Sequence, residues 1–210
     1  MINILPEDYS SLHDSDRENW DHIRACLLEV EKDFSMRSTS NPRVNHFHIL
    51  AAKMKRVHFH TWLIERSGHS FRLCLVQYDI LYAPRPRSNE RGIDSSLYFI
   101  GQLDLKKDFG VAVIRPETLE DKINELFEPI EMDFKSHLLF SFRFFVMAED
   151  KARFREMLPP ALLSFMESYP GLQLEFKHQQ CLFRMPKTFD LNYGLLSCEV
   201  GLGLDKILNR

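Results

Sequence analysis

The segment Ser70–Tyr82 constrains the fold most, because its pattern is that of a strand with apolar side chains on both faces. Leu73 and Leu75 point to one side of an extended chain, and Cys74 and Val76 point to the other. A strand that is apolar on both sides is covered on both sides, so it needs neighbouring strands and further layers of structure. The segment therefore predicts a central strand of a sheet.

Further strands are predicted on either side of this segment. Val44–Ala51 and Val57–Arg66 precede it, and Leu97–Leu103 and Val111–Ile114 follow it. Only short connections separate the first three strands, which favours an antiparallel meander.

Helices are predicted at the N-terminus, in the middle and at the C-terminus. Apolar residues recur at spacings of three and four over Ser15–Phe34. Pro116, Asp150 and Pro160 mark the starts of three further helices, since proline and aspartate suit the first turn. A last helix covers Asp190–Leu208, although three glycines inside it oppose a helix: Gly194, Gly201 and Gly203.

The segment Phe140–Ala148 is predicted to be a strand. Alternation would place Phe140, Phe142 and Phe144 on one side of that strand, and the ordinary burial of phenylalanine assigns them to the core. If the strand lies instead at an edge of the sheet, the three rings form a dimerisation surface.

Two more strands are predicted near the C-terminus. Apolar and polar residues alternate over Leu172–Lys177, which predicts one buried and one solvated face. Cys181–Met185 is predicted to pair back across a turn near His178 and Gln179.

These elements predict an α+β fold, with a mostly antiparallel sheet or sheets and N-terminal, middle and C-terminal helices packed on them. Residues 1–42 are predicted to form an N-terminal helix and a linker, the linker being Met36–Pro42. Residues 43–210 are predicted to form a single α+β domain, with two lobes, 43–130 and 131–210, as the alternative.

Charge and composition bear on partners and location. A formal net charge of −3 does not suit a phosphate backbone, so no nucleic acid is expected as a partner. The N-terminus lacks the pattern of a secretion signal and no run of 18 apolar residues occurs, so no membrane insertion and a cytoplasmic localisation are expected. The four cysteines form no C-x-x-C pair, which favours free thiols in a reducing compartment.

One part of the chain resembles a known family. The stretch Phe140-Ser141-Phe142-Arg143-Phe144-Phe145-Val146-Met147-Ala148-Glu149-Asp150, continued by Met157-Leu158-Pro159-Pro160-Ala161-Leu162, is similar to the core pattern of a bacterial family of unknown function. That pattern is F-x-x-x-F-x-V-x-x-x-D followed by about L-x-P-x-h, where h is apolar, and members often carry transmembrane helices ahead of a soluble domain. The resemblance covers about Val44–Leu208 and implies a fold and a cytoplasmic facing, but no catalytic residues.

The sharpest candidate site is a pair of short motifs, His46-Phe47-His48 and His58-Phe59-His60. On a strand, residues two apart share a face, so a hairpin could gather all four imidazoles around zinc, copper or iron. The alternative is that these histidines lie on a half-buried sheet face, since the basic step Lys53–Arg56 between the motifs repels cations.

A second candidate is the proline-containing loop that carries Arg85, Arg87 and Arg91. Guanidinium groups match anionic oxygens in pairs, so these side chains could bind a phosphate or an acidic partner peptide. A solvated loop without a partner is the alternative.

No G-x-S-x-G, P-loop or H-E-x-x-H motif occurs, so the sequence favours a non-catalytic binding or regulatory module that acts through a protein partner or self-association. The alternative is a metal-dependent enzyme that uses the two histidine motifs, with metal-bound water as nucleophile. No cofactor is expected under the first hypothesis, and a divalent metal is required under the second. Ligand sensing in a pocket between sheet and helices, and a cysteine activated by a distant histidine, stay open.

Overall fold

A computed structural model of the chain describes residues 14–40, 47, 57–81, 93–118, 132, 134, 136–185 and 191–210. These residues contain five helices and eight strands. The helices are α1 (Asp14–Asp33), α2 (Leu138–Arg143), α3 (Lys151–Met157), α4 (Pro160–Glu167) and α5 (Leu191–Leu208). The strands are β1 (Ser35–Ser38), β2 (Val57–Arg66), β3 (His69–Leu81), β4 (Ile93–Asp104), β5 (Val111–Pro116), β6 (Phe144–Ala148), β7 (Gln173–Lys177) and β8 (Gln180–Arg184).

The strands form one antiparallel sheet in the order β1-β2-β3-β4-β8-β7-β5-β6. Strands β1 to β4 follow one another as a meander, and the β7–β8 hairpin separates β4 from β5. The predicted α+β fold with a mostly antiparallel sheet is confirmed. So is the central position of β3, which lies between β2 and β4 and buries both Leu73 and Cys74.

One face of the sheet, here called the helix face, carries the main core. Leu73, Gly101, Phe183 and Leu174 stand in one cross-strand row on this face. Aromatic rings connect the face to α5, since Phe99 of β4 stacks on Tyr193 with 5.9 Å between the ring centroids. The sheet and helices thus share one apolar layer, whose burial provides most of the driving force for folding.

The glycines of α5 have a packing reason. A Cβ at Gly201 would lie 2.6 Å from the ring of Phe71, and a Cβ at Gly203 would lie 2.7 Å from the ring of Phe165. Both distances are shorter than carbon–carbon contact allows, so glycine lets α5 approach the sheet and α4 closely. The loss of helix propensity is offset by this packing, and the predicted helix is confirmed.

The predicted linker Met36–Pro42 is wrong over its first residues, because β1 belongs to the sheet. Met36 lies opposite Ile64 of β2 and its side chain is buried. Backbone pairing with β2 and burial of one apolar side chain are enough to order a polar tetrapeptide that has no strand pattern of its own. The predicted division into residues 1–42 and 43–210, or into lobes, stays a prediction.

The prediction of a strand over Phe140–Ala148 is also wrong in its first half. Residues 138–143 form α2, and the strand begins at Phe144. The rings of Phe140 and Phe144 stack with 5.0 Å between centroids, while Phe142 is exposed. Phe140 is buried and Phe142 lies on the other side of α2, so the helical period decides the structure here rather than the spacing of two.

Two smaller expectations need correction. Pro116 ends β5 opposite Phe144 and does not begin a helix. Glu175 was predicted on a solvated face, yet its side chain is fully buried. This face of the sheet is covered as well, since the cross-strand partner Leu182 is also fully buried, and Lys177 Nζ stands 3.7 Å from Glu175 Oε1. Apart from the buried Phe47, the predicted strand Val44–Ala51 lies outside the described residues, as does the body of the helix after Pro116.

Candidate functional site

The two histidine motifs are only partly described. His46 and His48 lie outside the described residues. His58 and His60 lie two residues apart on β2, opposite Gln77 and Leu75 of β3. Within the described part of the chain, no group of three or more histidine, cysteine, aspartate or glutamate side chains is placed to hold a metal ion. A site formed by all four histidines stays a prediction.

The side chain of His60 lies among aromatic residues. Its ring packs edge-on against Trp20 of α1 with 5.4 Å between centroids. It also stacks on Trp62 with 6.3 Å between centroids. Both tryptophans are buried, and His60 is half-buried between them. This environment matches the alternative hypothesis for His60, a histidine on a half-buried sheet face.

The structure bears differently on the predicted arginine site and on the hypothesis of a catalytic cysteine. Arg85, Arg87 and Arg91 lie outside the described residues. The four cysteines are buried and none forms a disulfide: Cys26, Cys74, Cys181 and Cys198. Burial raises the pKa of the Cys74 thiol to about 12 and raises the pKa values of two others further, those of Cys181 and Cys198. Because the thiolate is the nucleophile, these three residues are protonated and unreactive at neutral pH.

The described surface has one cluster of exposed, large apolar side chains, which sequence reasoning missed. Leu138, Leu139 and Phe142 of α2 are 75%, 47% and 69% exposed. In a helix these positions lie within about 100° of one another and opposite Phe140. This cluster, here called the α2 surface, is an apolar patch of the kind that marks interaction sites.

The α2 surface rests on a well-anchored helix. Phe140 is fully buried, packs edge-on against Phe134 with 5.4 Å between centroids, and donates its backbone N–H to Glu167 Oε1 at 3.1 Å. Ser141 Oγ accepts a hydrogen bond from Phe134 N at 2.8 Å. These contacts lie on the inner side of α2 and hold it in place, so the outer side chains are presented on a fixed backbone.

The C-terminal end of α2 is tied to neighbouring segments through Arg143. Arg143 Nη1 donates to the backbone oxygen of Glu167 at 3.4 Å, and the oxygen of Arg143 accepts from Glu117 N at 2.9 Å. Arg115 lies over the ring of Phe145, with 4.6 Å from Cζ to the centroid.

A signal for the α2 surface was present in the sequence. Phe140 and Phe144 are four residues apart, and Leu138 and Phe142 are also four apart. A spacing of four is typical of residues that share one side of a helix. The three-ring alternation of Phe140, Phe142 and Phe144 fits a strand equally well, because short apolar runs fit both periods. Only the contacts of Phe140 with Phe134 and Glu167 decide between them.

Comparison with known proteins finds no family model, no curated protein and no solved structure that matches this chain. Among the described residues, no helix is both long enough and apolar enough to cross a membrane. The fold and surface therefore define an α+β protein with an eight-stranded antiparallel sheet and an exposed apolar helix. The resemblance to a bacterial family of unknown function stays a prediction.

Proposed function

We propose that this chain is a non-catalytic binding or regulatory module, and that its α2 surface docks against an apolar surface of a protein partner. The observation that carries the proposal is the exposure of Leu138 and Phe142, at 75% and 69%, on a helix that is held by buried contacts. Keeping such side chains in water is unfavourable, and covering them in a complex recovers this free energy.

Preorganisation supports the same proposal. The inner side of α2 is fixed through Phe140 and Ser141, so binding requires little ordering of the backbone. Since the loss of conformational freedom opposes association, a small apolar surface on a fixed helix contributes more affinity than the same residues on a flexible loop. Phenylalanine in such a position is a typical anchor for a pocket on the partner.

The test compares a variant that combines Leu138→Ser and Phe142→Ser with the wild-type chain, each immobilised and exposed to an extract of the native host. We expect the variant to lose a protein that the wild-type chain retains, and the same dependence on α2 to reappear when the two purified proteins are mixed. Light scattering over a range of concentrations reveals whether that partner is a second copy of this chain.

The matched control is Leu28→Ser on α1, which removes a leucine that is 40% exposed but lies outside the α2 surface. We expect this control to bind as the wild-type chain does. Unfolding curves of all three proteins should agree to within about 0.5 kcal/mol, since the changes are on the surface. A wild-type chain that is monomeric and retains only proteins that the α2 variant also retains would disprove the proposal.

A further inference from the structure

A small apolar cavity lies beside the end of α4, outside the α2 surface. Its volume is about 170 Å³. Its mostly apolar lining comes from the turn after α4, from the residue after β8 and from α5: Tyr169, Pro170, Leu172, Met185 and Leu196. Leu172 and Met185 are buried, whereas Pro170 is exposed, so the cavity leads from the surface towards the core.

The size of the cavity suits a single aromatic ring. In another protein, an engineered apolar cavity of about 150 Å³ binds benzene. Pockets for cofactors and other drug-sized molecules are larger, at about 300–1,000 Å³. An apolar side chain that ends in a phenyl ring therefore matches this cavity, and its insertion removes both the ring and the lining from water.

The cavity lies next to α2. Glu167, the last residue of α4, accepts from Phe140 N through its side chain at 3.1 Å and from Arg143 Nη1 through its backbone oxygen at 3.4 Å. Ser168 follows directly in the chain, is exposed and lines the cavity. The residue that holds α2 in place is thus adjacent to the rim of the cavity, so the α2 surface and the cavity are neighbours.

Phe142 is the ring that the α2 surface presents. It is 69% exposed and does not line the cavity, so it leaves the cavity of its own chain open. A chain that carries an exposed ring and a matching cavity side by side can exchange the two with a second copy. A two-fold axis then buries two rings in one complex, and the assembly closes at two copies. The small formal net charge of −3 opposes this association only weakly.

We propose that this chain forms a two-fold dimer in which the Phe142 ring of each copy occupies the cavity of the other copy. The inference rests on the proposed function, because it names a second copy of this chain as the partner of the α2 surface. Phe142 is the anchor, and Leu196 and Ser168 border the cavity that receives it. The dimer therefore contains two identical contacts between an anchor and a cavity.

The test measures the dissociation constant of the dimer by analytical ultracentrifugation of the full chain over a range of concentrations. Phe142→Ala removes the anchor, and Leu196→Trp fills the cavity with a larger side chain. Each variant loses both contacts of its own dimer. Since a buried aromatic anchor contributes about tenfold or more in affinity, we expect the dissociation constant of either variant to rise by about 100-fold or more.

A mixture of the two variants tests the exchange itself. The Leu196→Trp copy still has its anchor and the Phe142→Ala copy still has an open cavity, so a mixed dimer keeps one of the two contacts. We expect the mixed dimer to be only about tenfold weaker than the wild-type dimer, at concentrations where each variant alone is monomeric. Variants that had merely lost their fold would not recover in this way.

Two matched controls change residues outside the cavity and the α2 surface. Leu195→Trp alters the preceding, half-buried leucine of α5, and Leu28→Ala truncates an exposed leucine of α1. Both should dimerise as the wild-type chain does. If urea titration shows that Leu196→Trp is not folded, Ser168→Trp takes its place, because this substitution is at the exposed rim and leaves the core unchanged.

The results that would overturn the inference differ from those that would overturn the proposed function. A wild-type dimer that no cavity variant weakens, or a mixture without recovery, contradicts the exchange of rings. A chain that stays monomeric and binds a different protein through the α2 surface also contradicts it, and leaves the proposed function intact. If the chain is monomeric and its α2 variant retains every protein that the wild-type chain retains, both proposals fail.

Discussion

The ring of Phe183 occupies the space that a side chain at Gly101 would need. The two residues face each other across β4 and β8, and a Cβ at Gly101 would lie 1.9 Å from Phe183 Cε1. The ring crosses above β4 at this glycine and reaches Phe71 on β3, with 5.6 Å between the ring centroids. Phe71 in turn lies against Gly201 of α5, so two glycines enclose a pair of rings between sheet and helix.

Gly101→Ala is therefore expected to destabilise the fold. The new methyl group forces the Phe183 ring out of its position, which costs about 1–3 kcal/mol as overpacking does in other cores. The free energy of unfolding from urea titration measures the effect. Combining Gly101→Ala with Phe183→Leu should cost less than the sum of the single changes, by about 0.5–3 kcal/mol. Strictly additive effects would contradict the contact between Gly101 and Phe183.

The helical structure of α2 predicts that substitutions of Phe140 and Phe142 differ in their effect on stability. Phe140→Ala should lower the free energy of unfolding by about 3–5 kcal/mol, because its ring is fully buried against Phe134 and Phe144. Phe142→Ala should change it by no more than about 0.5 kcal/mol, because the ring is mainly in water. Urea titration of the two variants decides, and similar losses for both would favour the strand that the alternation predicts.

The thiols are expected to be unreactive in the folded chain. Burial raises the pKa of Cys74 to about 12, and the pKa values of Cys181 and Cys198 are raised by burial as well. At neutral pH a thiol-specific reagent should therefore modify these three residues slowly without denaturant, and all four cysteines rapidly in denaturant. Mass spectrometry of the modified chain reads out each site. Rapid modification of Cys74 in the folded chain would contradict its burial.

The connection between β4 and β5 should respond to acid through Asp108. Gly110 N donates to Asp108 Oδ1 at 2.8 Å, and this hydrogen bond is the main reason that the pKa of Asp108 lies below its ordinary value of 3.8. His178 and Arg153 lower it further, with nitrogen–oxygen distances of 3.4 Å and 3.6 Å. The charged carboxylate is thus the form that the folded chain favours.

The sign of the pH dependence follows from this depressed pKa. The stabilisation by Asp108 is present in full above its unfolded pKa and is lost as the pH falls through the lower folded pKa. Asp108→Asn keeps an acceptor for Gly110 but removes the charge, so its stability should fall less steeply than that of the wild-type chain below about pH 4. Urea titrations at a series of pH values compare the two slopes. Equal slopes would rule out a linkage through Asp108.

The sequence by itself determined the elements whose pattern allows one interpretation. Strand β2 has the predicted bounds Val57–Arg66, and β3 lies in the middle of the meander as its two apolar faces require. Asp150 caps α3 by accepting from Arg153 N at 3.0 Å, which its position ahead of an apolar helix pattern predicts. In each case the pattern within one segment allows a single interpretation, so the local order of residues contains the needed information.

The tertiary structure alone decided where distant segments meet. The face of the sheet that carries Glu175 and Leu182 is buried in the folded chain, and the docking of Phe140 against Phe134 turns a strand pattern into a helix with an exposed apolar side. The period of this segment alone does not identify the α2 surface, because contacts of Phe140 with Phe134 and Glu167 decide which side of the helix is buried. Burial and pairing are properties of the packed chain, and the periodicity of one segment does not contain them.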